Sequence, residues 1–281
     1  MPSTTSLTSP HSPLLDSPPT RRRPLLGWAL ADGLVLARRQ LKHIPRVPDE
    51  LVTAVFQPII IIVLFRYLLG GAIGASLHGT TYPNYLMAGV LVEALLLATA
   101  NTGVGIAADR QRGIVDRFRS LPMAGSAVLT GRVFADQIRS VLILAVAWGV
   151  GLLVGFRPGG SPLSWLAAVG LLLLLSFVFS WLSALVGLLL DSVEAVQQAA
   201  LIWLLPFLFA SSAFVPVETL PGWLQAFANH QPVSLTMDAV RGLLLGAPDA
   251  STIAVSLAWC LGLLLVFIPV SVWVYARKTS R

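Results

Sequence analysis

Apolar residues run in blocks along this chain, and six of the blocks are long enough, or nearly so, to cross a hydrocarbon layer as helix. A layer about 30 Å thick takes roughly 20 helical residues. The blocks fall near 51–69, 85–108, 138–156, 164–190, 195–214 and 252–275. The predicted fold class is therefore all-α and integral to a membrane, with six transmembrane helices. Pro58 and Arg66 sit in the first block, where Arg66 is close enough to the end to snorkel to the headgroups. Pro206 and Pro269 lie inside the fifth and sixth and are expected to kink them, as membrane helices tolerate.

Between the blocks the pattern changes. In the segment 25–44, Leu26, Leu30, Leu34, Ala37, Leu41 and Ile44 recur on one helical face, opposite Asp32, Arg38, Arg39, Lys42 and His43. An apolar stripe backed by a basic face predicts a helix lying in the membrane interface. Residues 1–24 are rich in Ser, Thr and Pro and read as a disordered tail. Residues 276–281 form a short basic C-terminal tail. The membrane domain spans 25–275.

Composition agrees with burial in lipid. The 281 residues are 56% hydrophobic and only 11% charged, against roughly 25% charged in soluble domains. The formal charge of +6 does not describe a nucleic-acid-binding face, because the basic residues sit between apolar runs. Their distribution sets the orientation instead. Seven lie before the first block, six lie in and beside the loop after the second, and three close the chain, so that 16 of the 19 Lys and Arg share one side. The rule that cationic loops stay inside puts that side, with both termini, in the cytoplasm. Only Arg66, Arg157 and Arg241 fall outside.

Several chemistries are excluded. One cysteine, Cys260, allows no disulfide within the chain, and the four histidines are scattered, so no metal site is expected. Lys42 and Lys278 follow Leu41 and Arg277, whereas a phosphate-binding P-loop needs Gly before its Lys. The chain is expected to carry no catalytic residues and no nucleotide of its own.

The loop after the second block is the most informative stretch. Ile114, Phe118 and Leu121 recur at i, i+4, i+7, while Arg112, Asp116, Arg117 and Arg119 cover the remaining surface and Pro122 ends the turn. The pattern fits a short helix docked in a groove on a soluble partner. It fits equally a surface helix packed on its own membrane domain beside anionic lipid.

The run Gly113-Ile114-Val115-Asp116-Arg117-Phe118-Arg119-Ser120-Leu121-Pro122-Met123 resembles the signature in the first cytoplasmic loop of ABC type-2 permeases. It is most similar to the daunorubicin-resistance exporters of actinobacteria. Phe214-Val215-Pro216-Val217-Glu218-Thr219-Leu220-Pro221-Gly222-Trp223-Leu224, then Gln231-Pro232 and Asp238-Ala239-Val240-Arg241, also resembles that branch, so the likeness covers about 25–275. It implies a permease subunit of an ATP-driven exporter in a bacterial plasma membrane, moving a hydrophobic or amphipathic molecule, drug or lipid-like, outward. It further implies a second permease, identical or related, and two copies of a separate ATPase subunit holding the ATP and Mg. The helix at 110–122, with Arg112, Gly113, Ile114, Asp116, Arg117, Phe118, Arg119, Leu121 and Pro122, would then couple to that ATPase.

Beyond the fifth block, Leu220, Leu224 and Phe227 share one face, as do Val233, Met237, Val240 and Leu244, punctuated by Pro216, Pro221 and Pro232. With Trp223 near the boundary, these read as two external re-entrant helices dipping into the outer leaflet, the alternative being a loop lying on the membrane surface. Gly151 and Gly155 in the third block form a GxxxG that permits close helix packing.

One carboxylate, Glu93, falls in the middle of the second block. An ionisable group there costs on the order of +3 kcal/mol to insert. It either lines a polar substrate path together with Asn101, eight residues on, or is protonated and hydrogen-bonded between helices. An ion- or proton-coupled secondary transporter is the alternative function; several such carboxylates would be expected of it.

Overall fold

The computed structural model describes residues 48–68, 70–71, 80–112, 125–213, 217 and 220–279. Among these residues the secondary structure is α-helical with no strand. The helices are α1 (Pro48–Leu68), α2 (Tyr82–Gln111), α3 (Gly125–Leu153), α4 (Pro162–Leu189), α5 (Val193–Phe209), α6 (Gly222–His230), α7 (Pro232–Leu245) and α8 (Ala250–Thr279). The tail 1–24 and the interfacial segment 25–44 lie outside the described residues.

Helix ends follow local chemistry. Ser161 and Ser192 cap α4 and α5 by accepting from the backbone N–H groups of Ser164 and Ala195 at 3.2 and 3.0 Å, satisfying donors that a helix start leaves open. Pro162 and Pro232 occupy the first positions of α4 and α7, where a missing N–H costs nothing. Gly246 ends α7 at φ 81°, a conformation that disfavours residues carrying a Cβ. The helix α8 continues through Pro269, whereas α5 stops within a turn of Pro206.

At the centre stands α2, in contact with α1, α3, α4, α5 and α7, while α8 closes the bundle against α3, α4 and α7. Leu86, Val90, Leu91, Leu95 and Leu96 of α2 are sealed from solvent together with Leu172, Leu175 and Val178 of α4. Outside, the arrangement inverts that of a soluble protein. On α8, Ser256 and Ser271 point inward and are buried, while Leu257, Trp259, Leu261, Leu265, Val266 and Trp273 are exposed. Ser176, Ser180 and Ser183 of α4 are buried in the same way. Small polar residues between helices and large apolar ones outside are what a bilayer selects, since lipid gives apolar side chains no reason to turn inward.

Four helices are long and apolar enough to cross a membrane: Tyr82–Gln111, Leu129–Leu153, Pro162–Leu189 and Ala250–Lys278. The first and fifth blocks form shorter apolar helices, Phe56–Leu68 and Val193–Phe209. The third block needs the largest correction. Expected at 138–156, it forms a helix from Gly125 to Leu153. Arg132, expected in the preceding loop, therefore lies within a helix, where Asp109 of α2 pairs with it.

The GxxxG reading also changes. Gly155 lies beyond α3 at φ 105°, in a turn with open space around it, and a Cβ on Gly151 would meet only the Met87 side chain. The tight crossing is elsewhere, between α2 and α4, where Gly103 and Gly187 bring the two backbones together.

Candidate functional site

The two helices that flank the segment 113–124 are held at their bases by ionic contacts. Asp109 and Arg110 are neighbours at the end of α2, and they grip different helices. Asp109 Oδ2 accepts from Arg132 Nη1 of α3 at 2.6 Å. Arg110 Nη1 donates to the carbonyl oxygens of Leu188 and Leu190, both at 3.0 Å, and to that of Gly187 at 3.4 Å. Its Nη2 reaches Asp191 Oδ1 at 3.1 Å. A cation on the last carbonyls of a helix satisfies acceptors that have no intrahelical donor and opposes the negative end of the helix dipole.

Lys278, at the end of α8, completes this cluster by donating to Leu189 O at 3.2 Å and Asp191 Oδ1 at 3.4 Å. The Arg110 hydrogen bond and the charge of Lys278 hold the Asp191 carboxyl below the usual carboxylate range. Asp191 is a surface group, so its ion pairs are screened and weak; the carbonyl contacts of Arg110 are the firmer part.

Deeper in, the α2–α3 seam remains polar. Thr102 Oγ1 donates to Asp136 Oδ2 at 2.5 Å in a buried contact. Arg139 lies 3.9 Å from Asp136 on the same helix. Ser140 bonds Asp136 O and Ser176 Oγ, each at 3.0 Å, which brings α4 into the seam. Gly105 makes room for the arrangement: a Cβ there would fall 1.6 Å from Arg132 Nη2.

Among the residues expected to couple, Arg112 is exposed just past α2. Gly113, Ile114, Asp116, Arg117, Phe118, Arg119, Leu121 and Pro122 lie outside the described residues. Glu93 and Asn101 occupy different surroundings. Glu93 is 9% exposed, and its Oε2 has no hydrogen-bond partner. Asn101, eight residues on, is exposed.

At the other end of the bundle, α7 is fastened to two neighbours. Arg241 stacks over the Tyr85 ring of α2 with Cζ 3.9 Å from its centroid. It also donates to Ser212 O at 2.6 Å and pairs with Asp238 at 2.5 Å. Ser212 Oγ in turn donates to Asp238 Oδ1 at 2.8 Å, and the Tyr85 hydroxyl to Ser212 O at 3.1 Å. Gln231 Nε2 caps the end of α5 through Ala210 O and Phe207 O. The Gln231-Pro232 and Asp238…Arg241 runs singled out in the sequence thus form a structural lock. Val233, Met237, Val240 and Leu244 are buried as their spacing predicted. Trp223 is exposed at the start of α6 next to Pro221, and Leu220 is partly buried, while Pro216 lies outside the described residues.

Sequence reasoning missed Asp109, Asp136, Thr102, Gly105 and Asp191 as partners. The spacing of Arg132, Asp136 and Arg139 at i, i+4, i+7 was the available signal, since it puts three charges on one helix face.

A family model described as ABC-2 type transporter matches residues 33–245. A daunorubicin resistance ABC transporter permease protein of Streptomyces coeruleorubidus is 34% identical over 92% of this chain and 91% of its own length. A probable doxorubicin resistance ABC transporter permease protein of Mycobacterium tuberculosis is 29% identical over 84% of this chain and 85% of its own. More distantly, a putative transport permease of Porphyra purpurea is 26% identical over 73% of this chain and 71% of its own.

Proposed function

The chain belongs to the ABC-2 type transporter family, and on that premise we propose that it is the permease subunit of an ATP-driven exporter moving a hydrophobic or amphipathic molecule out of the cell. As a permease of this family it is a multi-pass membrane protein and not an enzyme. The observation that carries the reading is the match along nearly the whole chain to permeases named for drug resistance. Daunorubicin and doxorubicin define the substrate class by analogy: drug- or lipid-like, with apolar area and some polar or cationic character.

In this reading all six apolar helices cross the membrane. The 17 residues of α5 span about 25 Å at 1.5 Å per residue, close to a hydrocarbon thickness. The helices α6 and α7 are re-entrant at the outer face. Arg110, Arg132, Asp191 and Lys278 share one end of the bundle; Arg157 and Arg241 share the other. Counting Lys and Arg assigns the first end, and both termini, to the cytoplasm. There the segment 110–122 docks on one of two ATPase subunits, which carry ATP and Mg, and a second permease, identical or related, completes the exporter.

Asn101 supports a substrate path. An exposed amide far from the ends of a membrane helix belongs against water or another chain and not against lipid. Glu93, behind it in the same helix, supplies a buried negative potential that favours a cationic amphiphile.

The test is isolation with the co-encoded ATPase. The wild-type chain is expected to bring an ATPase down in a mild detergent, and Phe118→Asp or the pair Arg117→Glu and Arg119→Glu to loosen it and abolish transport. Recruitment and transport unchanged in those variants would remove 110–122 from the coupling role. Absence of any ATPase companion would end the exporter reading itself.

A further inference from the structure

Helix interfaces inside membranes are ordinarily made from small residues and uncharged polar ones, yet the inner half of the α2–α3 seam holds acidic and basic side chains. Asp109 and Arg132 pair at 2.6 Å with side chains 29% and 25% exposed, and Thr102 bonds the buried Asp136. Partly buried ion pairs are poor sources of stability, because apolar packing of similar volume does as well or better. Arg132 even leaves its Nε buried without a partner. Gly105 meanwhile gives up its side chain so that the Arg132 guanidinium can lie against α2. Five positions are therefore committed to contacts that stability alone does not require.

What the contact does supply is register. Apolar faces slide over one another with little resistance, whereas an ion pair and a hydroxyl–carboxylate bond each have one geometry. The two helices so fixed are those joined by the segment 113–124. On the reading above that this segment meets an ATPase, we propose that Asp109 and Arg132 are positioning residues that make α2 and α3 a single rigid lever. A push on that segment from the ATPase then moves both helices together. Without the pair, the push is dissipated in splaying them. Neither residue is assigned a contact with substrate or nucleotide.

The test uses the full chain with its ATPase, reconstituted in lipid. Spin labels at Gln111 and Phe134, both exposed, are diluted with unlabelled copies and read by pulsed electron resonance, nucleotide-free and trapped with ATP and vanadate. The wild-type separation is expected to stay the same in both states. In Asp109→Ala, and in Gly105→Leu, which displaces Arg132 while leaving both charges, it is expected to broaden and shift on trapping. ATPase recovery should match the wild type in both variants. The exchange of charges, Asp109→Arg with Arg132→Asp, should restore the narrow distribution. A wild-type separation that changes on trapping, a variant indistinguishable from wild type, or a charge exchange no better than the single change would each overturn the lever. Loss of ATPase binding in the variants would also overturn it, by showing that the pair serves docking. If the wild type recovers no ATPase, it is the exporter reading that fails.

Discussion

A Cβ placed on Gly187 would fall 2.3 Å from the carbonyl oxygen of Gly103, so the backbones of α4 and α2 are in direct contact where they cross. Ser183, one turn earlier, donates to Ala100 O at 3.4 Å and accepts from Gly103 N at 3.2 Å. With no hydrophobic force between helices in lipid, such close approach and hydrogen bonding hold the pair. Gly187→Ala is accordingly expected to cost about 1–3 kcal/mol through overpacking, read as a lower Tm in detergent. Gly149→Ala, which meets nothing within 4 Å, is the matched control and should leave Tm unchanged or raise it.

Arg241 holds α7 to the Tyr85 ring of α2 and to the Ser212 carbonyl beyond α5, while pairing with Asp238 on its own helix. Arg241→Ala is expected to lose about 1–2 kcal/mol from the cation–π and charged hydrogen bonds, and to open the 210–213 segment to hydrogen exchange. Arg241→Lys should recover only part, because a point charge cannot face Asp238 and Ser212 while lying flat on Tyr85. Full recovery by lysine would reduce the contact to simple charge.

Asp249 caps α8. Its carboxylate accepts from the Ser251 hydroxyl at 2.6 Å and the Thr252 backbone N–H at 2.9 Å. Bonds from Ser251 and then Thr252 depress its pKa far below the usual carboxylate value. A depressed folded-state pKa stabilises the protein above the unfolded value, near 3.9, and that contribution fades as pH falls toward the folded value. Asp249→Ala should thus have a lower Tm than the wild type at pH 7, with the gap narrowing once pH drops below about 4. A gap that does not change with pH would mean the cap acts without its charge.

Glu93→Gln preserves the shape of the side chain and removes the capacity for charge. If Glu93 contributes to a cation-favouring path, export of cationic amphiphiles falls severalfold in this variant while that of neutral ones holds. Equal export of both in vesicle assays would leave Glu93 a buried structural group.

The membrane-spanning pattern was legible because lipid imposes it residue by residue: runs such as Leu171–Leu175 need no knowledge of their neighbours. The α7 stripe of Val233, Met237, Val240 and Leu244 was legible for the same local reason. The polar seam was not. Whether Arg132 belongs to a loop or a helix depends on Asp109, 23 residues away, and the burial of Asp136 depends on Thr102, 34 residues away. Long-range pairing of charges rewrote the start of α3. The crossing of Gly103 and Gly187 was hidden likewise, because short motifs such as Gly151…Gly155 record spacing within one helix and say nothing about what lies opposite. Eight residues separate Glu93 from Asn101, which leaves them about 80° apart around α2; that angle is enough to put one inside and one out.

Gln231 and Arg241 have a mechanical consequence for the far end of the bundle. They rivet the short α6–α7 hairpin to α5 and α2 with several polar bonds, buried or partly buried, so moving it means breaking them together. If the chain is an exporter with this end outside, widening the way out means carrying α2 and α5 along with the hairpin.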